Sequence, residues 1–406
     1  MSSPYPTGSL LLPLQHTRFR QLWLANFFSS LGNWMQAFAV SWEIASASKS
    51  ALAVALVQAM TWAPVMLFSL PAGVLADTSC RPTLLFRSNA LMACGACAMV
   101  VSTMFAPKAV APMLVLTFVM ATGTAFIAPA WQASMSGLVL PDEIEGAATL
   151  NNLSYNAAAL LGPALGSACF AYVGATGLFV FNAFSFCALL WLYKNWSGHT
   201  SRTAPRQCFS VGDTVRMAWR SRPFRRLLTY TAGIFIASSA LLVFLPLFAS
   251  GAGNYGAMMG TLGAGALCAG ISLPALRRRM PRRMLLAGAL AIHASMLAVL
   301  GASHAWALHL TALFCGGMAW AAIVTTLNGS AQTAFPDAVR ASTLAVYIVV
   351  VAGGQTFGSA AWGLLAERIG STAACLAAAV LMLLCAARIL LTDSFLEPQW
   401  KRTSEI

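Results

Sequence analysis

The sequence predicts an all-α integral membrane protein: twelve transmembrane helices in two six-helix pseudo-repeat halves. Three observations predict it. Of 406 residues, 59% are hydrophobic and 9% charged, which is too little charge to cover the surface of a soluble domain of that length. Windows of about 20 apolar residues, each able to cross ~30 Å of hydrocarbon as helix, recur along nearly the whole chain. The net charge of +13 is also unevenly placed, because only Lys49, Lys108 and Arg368 of the 24 basic residues fall on turns at one face.

In order, the spans lie near 21–46, 51–76, 83–105, 110–132, 147–173, 175–195, 226–250, 254–276, 283–302, 306–331, 341–365 and 370–391. The positive-inside rule then puts both termini and the basic loops in the cytoplasm. This placement accounts for the charge without nucleic acid. The first ~20 residues carry Pro4, Pro6, Pro13, Arg18 and Arg20 instead of a basic start and an apolar run, so the first helix is expected to direct insertion.

Residues 196–225 form a polar, basic segment between residues 1–195 and 226–406, the two expected halves. Val211, Val215, Ala218 and Trp219 share one helical face within it, a pattern suited to lying on an anionic leaflet, and a solvated basic linker is the other reading. The halves repeat one another. Leu140-Pro141-Asp142 precedes a small-residue helix bearing Gly162 and Gly166, and Phe335-Pro336-Asp337 precedes one bearing Gly354 and Gly358. Small residues four apart let membrane helices approach closely.

Chemistry of the enzymatic kind is not indicated. There is no HExxH, no Gly-x-Ser-x-Gly in a loop, no P-loop and no paired carboxylate within a span. Cys94 and Cys97 have CxxC spacing but lie in an apolar helix, where they read as small core residues. No catalytic residue, metal or cofactor is expected.

Four stretches carry a family resemblance. Gly73-Val74-Leu75-Ala76-Asp77-Thr78-Ser79-Cys80-Arg81 resembles the loop joining the second and third helices of major facilitator superfamily transporters. Thr78, Cys80 and Pro82 stand where that family has a basic residue, a glycine and a second basic residue. The turn Arg277–Arg283 is its counterpart in the second half, without the acid. Gly162-Pro163-Ala164-Leu165-Gly166 is similar to the core of the family's antiporter motif. Phe19-Arg20-Gln21-Leu22-Trp23-Leu24-Ala25-Asn26, with Ser30-Leu31-Gly32-Asn33-Trp34-Met35-Gln36 and Trp42, resembles the opening of a subgroup containing bacterial siderophore exporters. The resemblance implies a conformational latch at Gly73, Asp77 and Arg81, a helix interface at Gly162, Pro163 and Gly166, and a substrate site near the midplane between the halves.

Proton-coupling candidates are Glu43, the one acid placed inside a span, and His293, mid-span. Glu43 also reads as an interfacial residue near Lys49, and His293 as a histidine with no transport role. Asn33, Gln36, Gln58, Trp62, Trp131, Gln132, Asn152, Asn156, Asn328, Gln332 and Gln355 are, as a set, uncharged candidates for a substrate cavity, although any one of them taken singly reads as a joint between helices. With no base mid-span, the set fits a neutral, amphipathic small molecule. The expectation is a proton-coupled exporter of a small organic compound such as a siderophore, in the bacterial inner membrane, working as a monomer within the lipid bilayer. Broad drug efflux, import and a non-transporting sensor are the alternatives.

Overall fold

The structure, a computed structural model, describes residues 11–135, 137–196, 216, 219–335 and 337–391. Every regular element among them is helical. After a 3-10 turn at Leu12–Gln15 come α1 (Thr17–Ser48), α2 (Ala51–Thr78), α3 (Arg81–Phe105) and α4 (Val110–Met135). A second 3-10 turn, Pro141–Glu143, leads into α5 (Ile144–Lys194). The remainder is α6 (Arg222–Phe248), α7 (Ala252–Arg279), α8 (Arg282–Ala302), α9 (Trp306–Gln332), α10 (Asp337–Ile369) and α11 (Ser371–Leu391).

Among the described residues there are eleven long helical runs, one of which, α5, holds two helices joined across a kink. At 51 residues α5 is about 77 Å of helix, roughly twice what a bilayer requires. It breaks at Gly174, whose φ of 63° and ψ of −171° lie in a region essentially reserved for glycine. Its two arms are the predicted spans 147–173 and 175–195. Ten of the eleven helices are long and apolar enough to cross a membrane. The exception is α1, whose Arg18, Arg20, Asn26, Asn33, Gln36 and Glu43 dilute its apolar character.

Helix ends follow local chemistry. Tight turns at Lys49, Lys108 and Gly370 adopt positive φ, and Pro82, Pro141 and Pro223 occupy first-turn positions where a missing N–H costs nothing. Pro129, Pro163, Pro246 and Pro274 stand inside helices, which membrane bundles tolerate because neighbours satisfy the freed carbonyls.

The chain divides into two compact units. One comprises residues 1–43 and 71–208, the other 44–70 and 209–406. The boundary cuts α1 after Glu43 and α2 after Leu70, so Ile44–Leu70 packs with C-terminal helices. The core of the first unit gathers Phe19, Leu22, Leu85, Trp131, Leu150, Leu189 and Tyr193, with Met92, Ala96, Met120 and Phe186 in a second cluster. The core of the other unit gathers Phe224, Ile234, Leu286, Leu290, Ile323, Leu327, Tyr347 and Met382. Phe105, Tyr172, Ile271 and Leu391 are more than four-fifths exposed, which is the state expected of side chains that face lipid.

Most of the basic linker lies outside the described residues, so its amphipathic pattern has no structural counterpart here; Arg216, Trp219 and Arg220 are exposed.

Candidate functional site

Each of the two glycine pairs makes a close helix crossing. A Cβ added at Gly162 would overlap Trp34 Cβ and stand 3.3 Å from the Leu31 carbonyl, and one at Gly166 would stand 3.3 Å from Met35 Cα. The α5 backbone therefore lies directly on α1, with Pro163 buried between the two glycines. Trp34 meets Tyr155 edge to face beside this crossing, at 6.3 Å between ring centroids. The other unit repeats the device. A Cβ at Gly354 would stand 2.9 Å from Phe235 Cβ, and one at Gly358 would stand 2.7 Å from Ile236 Cα, so α10 lies on α6. Trp362 Nε1 donates to the Ile236 carbonyl at 2.7 Å and fixes the register.

Around the first crossing the structure gathers a buried amide cluster. Asn182, on the second arm of α5 and wholly buried, donates Nδ2 to Gln36 Oε1 at 2.8 Å and to Asn33 Oδ1 at 3.2 Å. Gln36 donates in turn to Met120 Sδ at 2.9 Å, and Ser185 donates to the Asn182 carbonyl at 2.7 Å. Gly32 makes room for this contact, since a Cβ there would stand 2.6 Å from Asn182 Oδ1. Asn33 and Gln36, expected among cavity residues, thus spend their polar groups joining α1 to α5. Trp131 does the same from α4, donating Nε1 to Asn151 Oδ1 at 2.8 Å.

The other cavity candidates are dispersed. Gln58, Trp62 and Asn328 are half-buried, Gln132, Asn152, Asn156 and Gln332 are exposed, and Gln355 is buried. Glu43 is half-buried near the end of α1 and lies in the electrostatic field of Lys108 in the turn after α3. His293 is fully buried on α8, its ring 5.6 Å from that of Trp320 on α9.

Of the expected latch, Arg81 opens α3, half-buried, while the Asp77 side chain lies outside the described residues. The room expected at Gly73 for a second backbone is not used, because an added Cβ there meets nothing within 4 Å. In the basic turn of the second half, Arg277 donates to Thr325 Oγ1 at 2.9 Å.

A hydrogen-bonded contact stands at the opposite end of α2, where the sequence signals only a helix start in need of a cap. The Glu367 carboxylate, near the end of α10, accepts from Ser50 Oγ at 2.6 Å and from the Leu52 amide at 3.3 Å. Ser50 Oγ accepts from the Ala53 amide at 3.2 Å. A carboxylate at a helix N-terminus satisfies otherwise orphaned donors and is favoured by the helix dipole. One turn before it, a Cβ at Gly363 would overlap Ala55 and stand 3.0 Å from Leu52 Cα. This packing ties Ile44–Leu70 to the C-terminal helices.

The same fold occurs in solved transporters. A point mutant of the nucleoside transporter NupG superposes with a TM-score of 0.76 at 11% identity, covering 93% of this chain and all of that one. A bacterial homologue of the lysosomal transporter Spinster gives 0.73 at 13%, covering 93% and 97%. A bacterial homologue of the iron transporter ferroportin gives 0.71 at 16%, covering 92% and 98%. No curated protein matches the sequence. The fold is that of a multi-pass membrane transporter of the major facilitator kind. Within that class the chain belongs to the transmembrane secretion effector family, which it matches over residues 8–403.

Proposed function

We propose that this transporter exports a small organic molecule, a siderophore being the leading example, in exchange for protons across a bacterial inner membrane with both termini in the cytoplasm. The observation that carries the reading is the Gly162-Pro163-Gly166 crossing on α1, since its close backbone approach is what the antiporter-like motif requires. Membership of a secretion family supports the outward direction.

In the proposed cycle the protein alternates access as a monomer. Asp77 and Arg81 hold one end of α2, and Glu367 with Ser50 holds the other, a contact that must break whenever α2 leaves α10. Glu43 carries the proton, with His293 as the second candidate. Gln58, Trp62, Gln132, Asn152, Asn156, Asn328, Gln332 and Gln355 supply the neutral polar contacts to substrate. Such a set also fits broad drug efflux, which is the alternative reading.

The test is mass spectrometry of medium and cells from an iron-limited deletion strain and its complemented parent. Export predicts a metal-chelating compound missing from the deletion medium and retained in the cells. A compound left unconsumed in the medium would reverse the direction, and identical profiles would remove the siderophore assignment.

A further inference from the structure

A cavity of about 490 Å³ opens between the start of α6 and the end of α11, and none of its lining residues belongs to the proposed transport site. Arg225, Arg226 and Arg388 line it together with Tyr230, Leu381 and Leu384. Three arginines thus line one space, and Arg225 also donates to the Trp219 carbonyl at 3.4 Å. Arg225 and Arg388 are exposed and Arg226 half-buried.

The position of the cavity defines its ligand. Arg388 lies in the last turn of α11, at the level where a span leaves the hydrocarbon. Leu381 lies two turns earlier, about 10 Å deeper at 1.5 Å per residue. Along the same helix Val380, Leu383 and Leu384 are half exposed, so the apolar wall continues onto a face that lipid covers. The cavity is thus cationic at the headgroup level and apolar toward the acyl level. Free phosphate would use only the first part, and a neutral apolar compound only the second.

We propose that this cavity is a binding site for an anionic phospholipid, with the phosphodiester held by Arg225, Arg226 and Arg388 and an acyl chain lying along Leu381 and Leu384. Guanidinium groups suit phosphate oxygens through paired N–H donors. By alternating crossings, Arg222, Arg277, Arg278, Arg279, Arg282 and Arg283 belong to the same end of this unit. That end is the one the positive-inside rule gives to the anionic cytoplasmic leaflet. The lipid clamps the first turn of α6 to the last turn of α11.

Native mass spectrometry of the purified full chain tests the site, with dioleoylphosphatidylglycerol, dioleoylphosphatidylcholine and inorganic phosphate as separate probes. The wild type should retain phosphatidylglycerol at least five-fold better than phosphatidylcholine, and the Arg226→Gln, Arg388→Gln double variant should lose that preference. Millimolar inorganic phosphate should not displace the lipid. Equal retention of the two lipids, an unchanged preference in the variant, or displacement by phosphate alone would each overturn the proposal. Hydrogen exchange on the wild type in nanodiscs is independent of whether the variant folds. Phosphatidylglycerol should protect residues 222–230 and 381–391 relative to phosphatidylcholine, and equal protection would count against the site.

Discussion

Asn182 shows what a single residue does in this protein. Its amide is wholly buried and serves two partners on α1, so replacing it leaves Asn33 and Gln36 with unspent polar groups in an apolar surround. Hydrogen bonds between membrane helices average only ~0.6 kcal/mol, because the separated helices also find partners. An orphaned buried group in water-soluble proteins costs about 1–3 kcal/mol. Asn182→Leu should therefore cost about 1–3 kcal/mol in total, read as a lower thermal midpoint in detergent; an unchanged midpoint would show that the cluster adds nothing. The sequence did not disclose this residue, since one asparagine in a phenylalanine-rich span resembles any tolerated polar position. Asn33 and Gln36 were legible as polar residues on α1, but their partner lies about 150 positions away and their role follows from it.

At the scale of the helix, glycine means different things at different positions. Gly162 sits where a Cβ would overlap Trp34, whereas Gly73 faces open space. Gly162→Ala should lower the thermal midpoint, by an overpacking cost of about 1–3 kcal/mol, and Gly73→Ala should leave it unchanged. Equal effects would show that the crossing is not close-packed. Gly174 acts through its backbone. Its conformation costs any other residue about 1–3 kcal/mol, so Gly174→Val should destabilise the bend of α5 although no atom lies within 4 Å of its Cβ position. Retained stability in that variant would mean that the bend forms without glycine. The four-residue glycine spacing made the crossings legible in the sequence, and hydropathy placed the division near 174.

For the whole molecule, the segment Ile44–Leu70 departs most from a reading by halves. Its first turn is capped by Glu367, more than three hundred residues later, and the sequence gives no sign of it because Glu367 stands at a helix end like any interfacial acid. Glu367→Ala should speed amide exchange at Leu52 while leaving Ala53, bonded to Ser50, less affected. Unchanged exchange at Leu52 would remove the cap from the account. The spans and the repeat were legible because they are periodic over many residues; the ties between distant helix ends rest on single residues. The proposed cycle joins both scales, with a proposed contact at each end of α2 that alternating access would break in turn, and its central claim is proton coupling. The most direct measurement is uptake of the exported metabolite into proteoliposomes with an acid interior, with and without nigericin. The account predicts accumulation that needs the gradient, is abolished by nigericin, and falls to simple equilibration in Glu43→Gln. Accumulation no greater with the gradient than without it would contradict proton-coupled export.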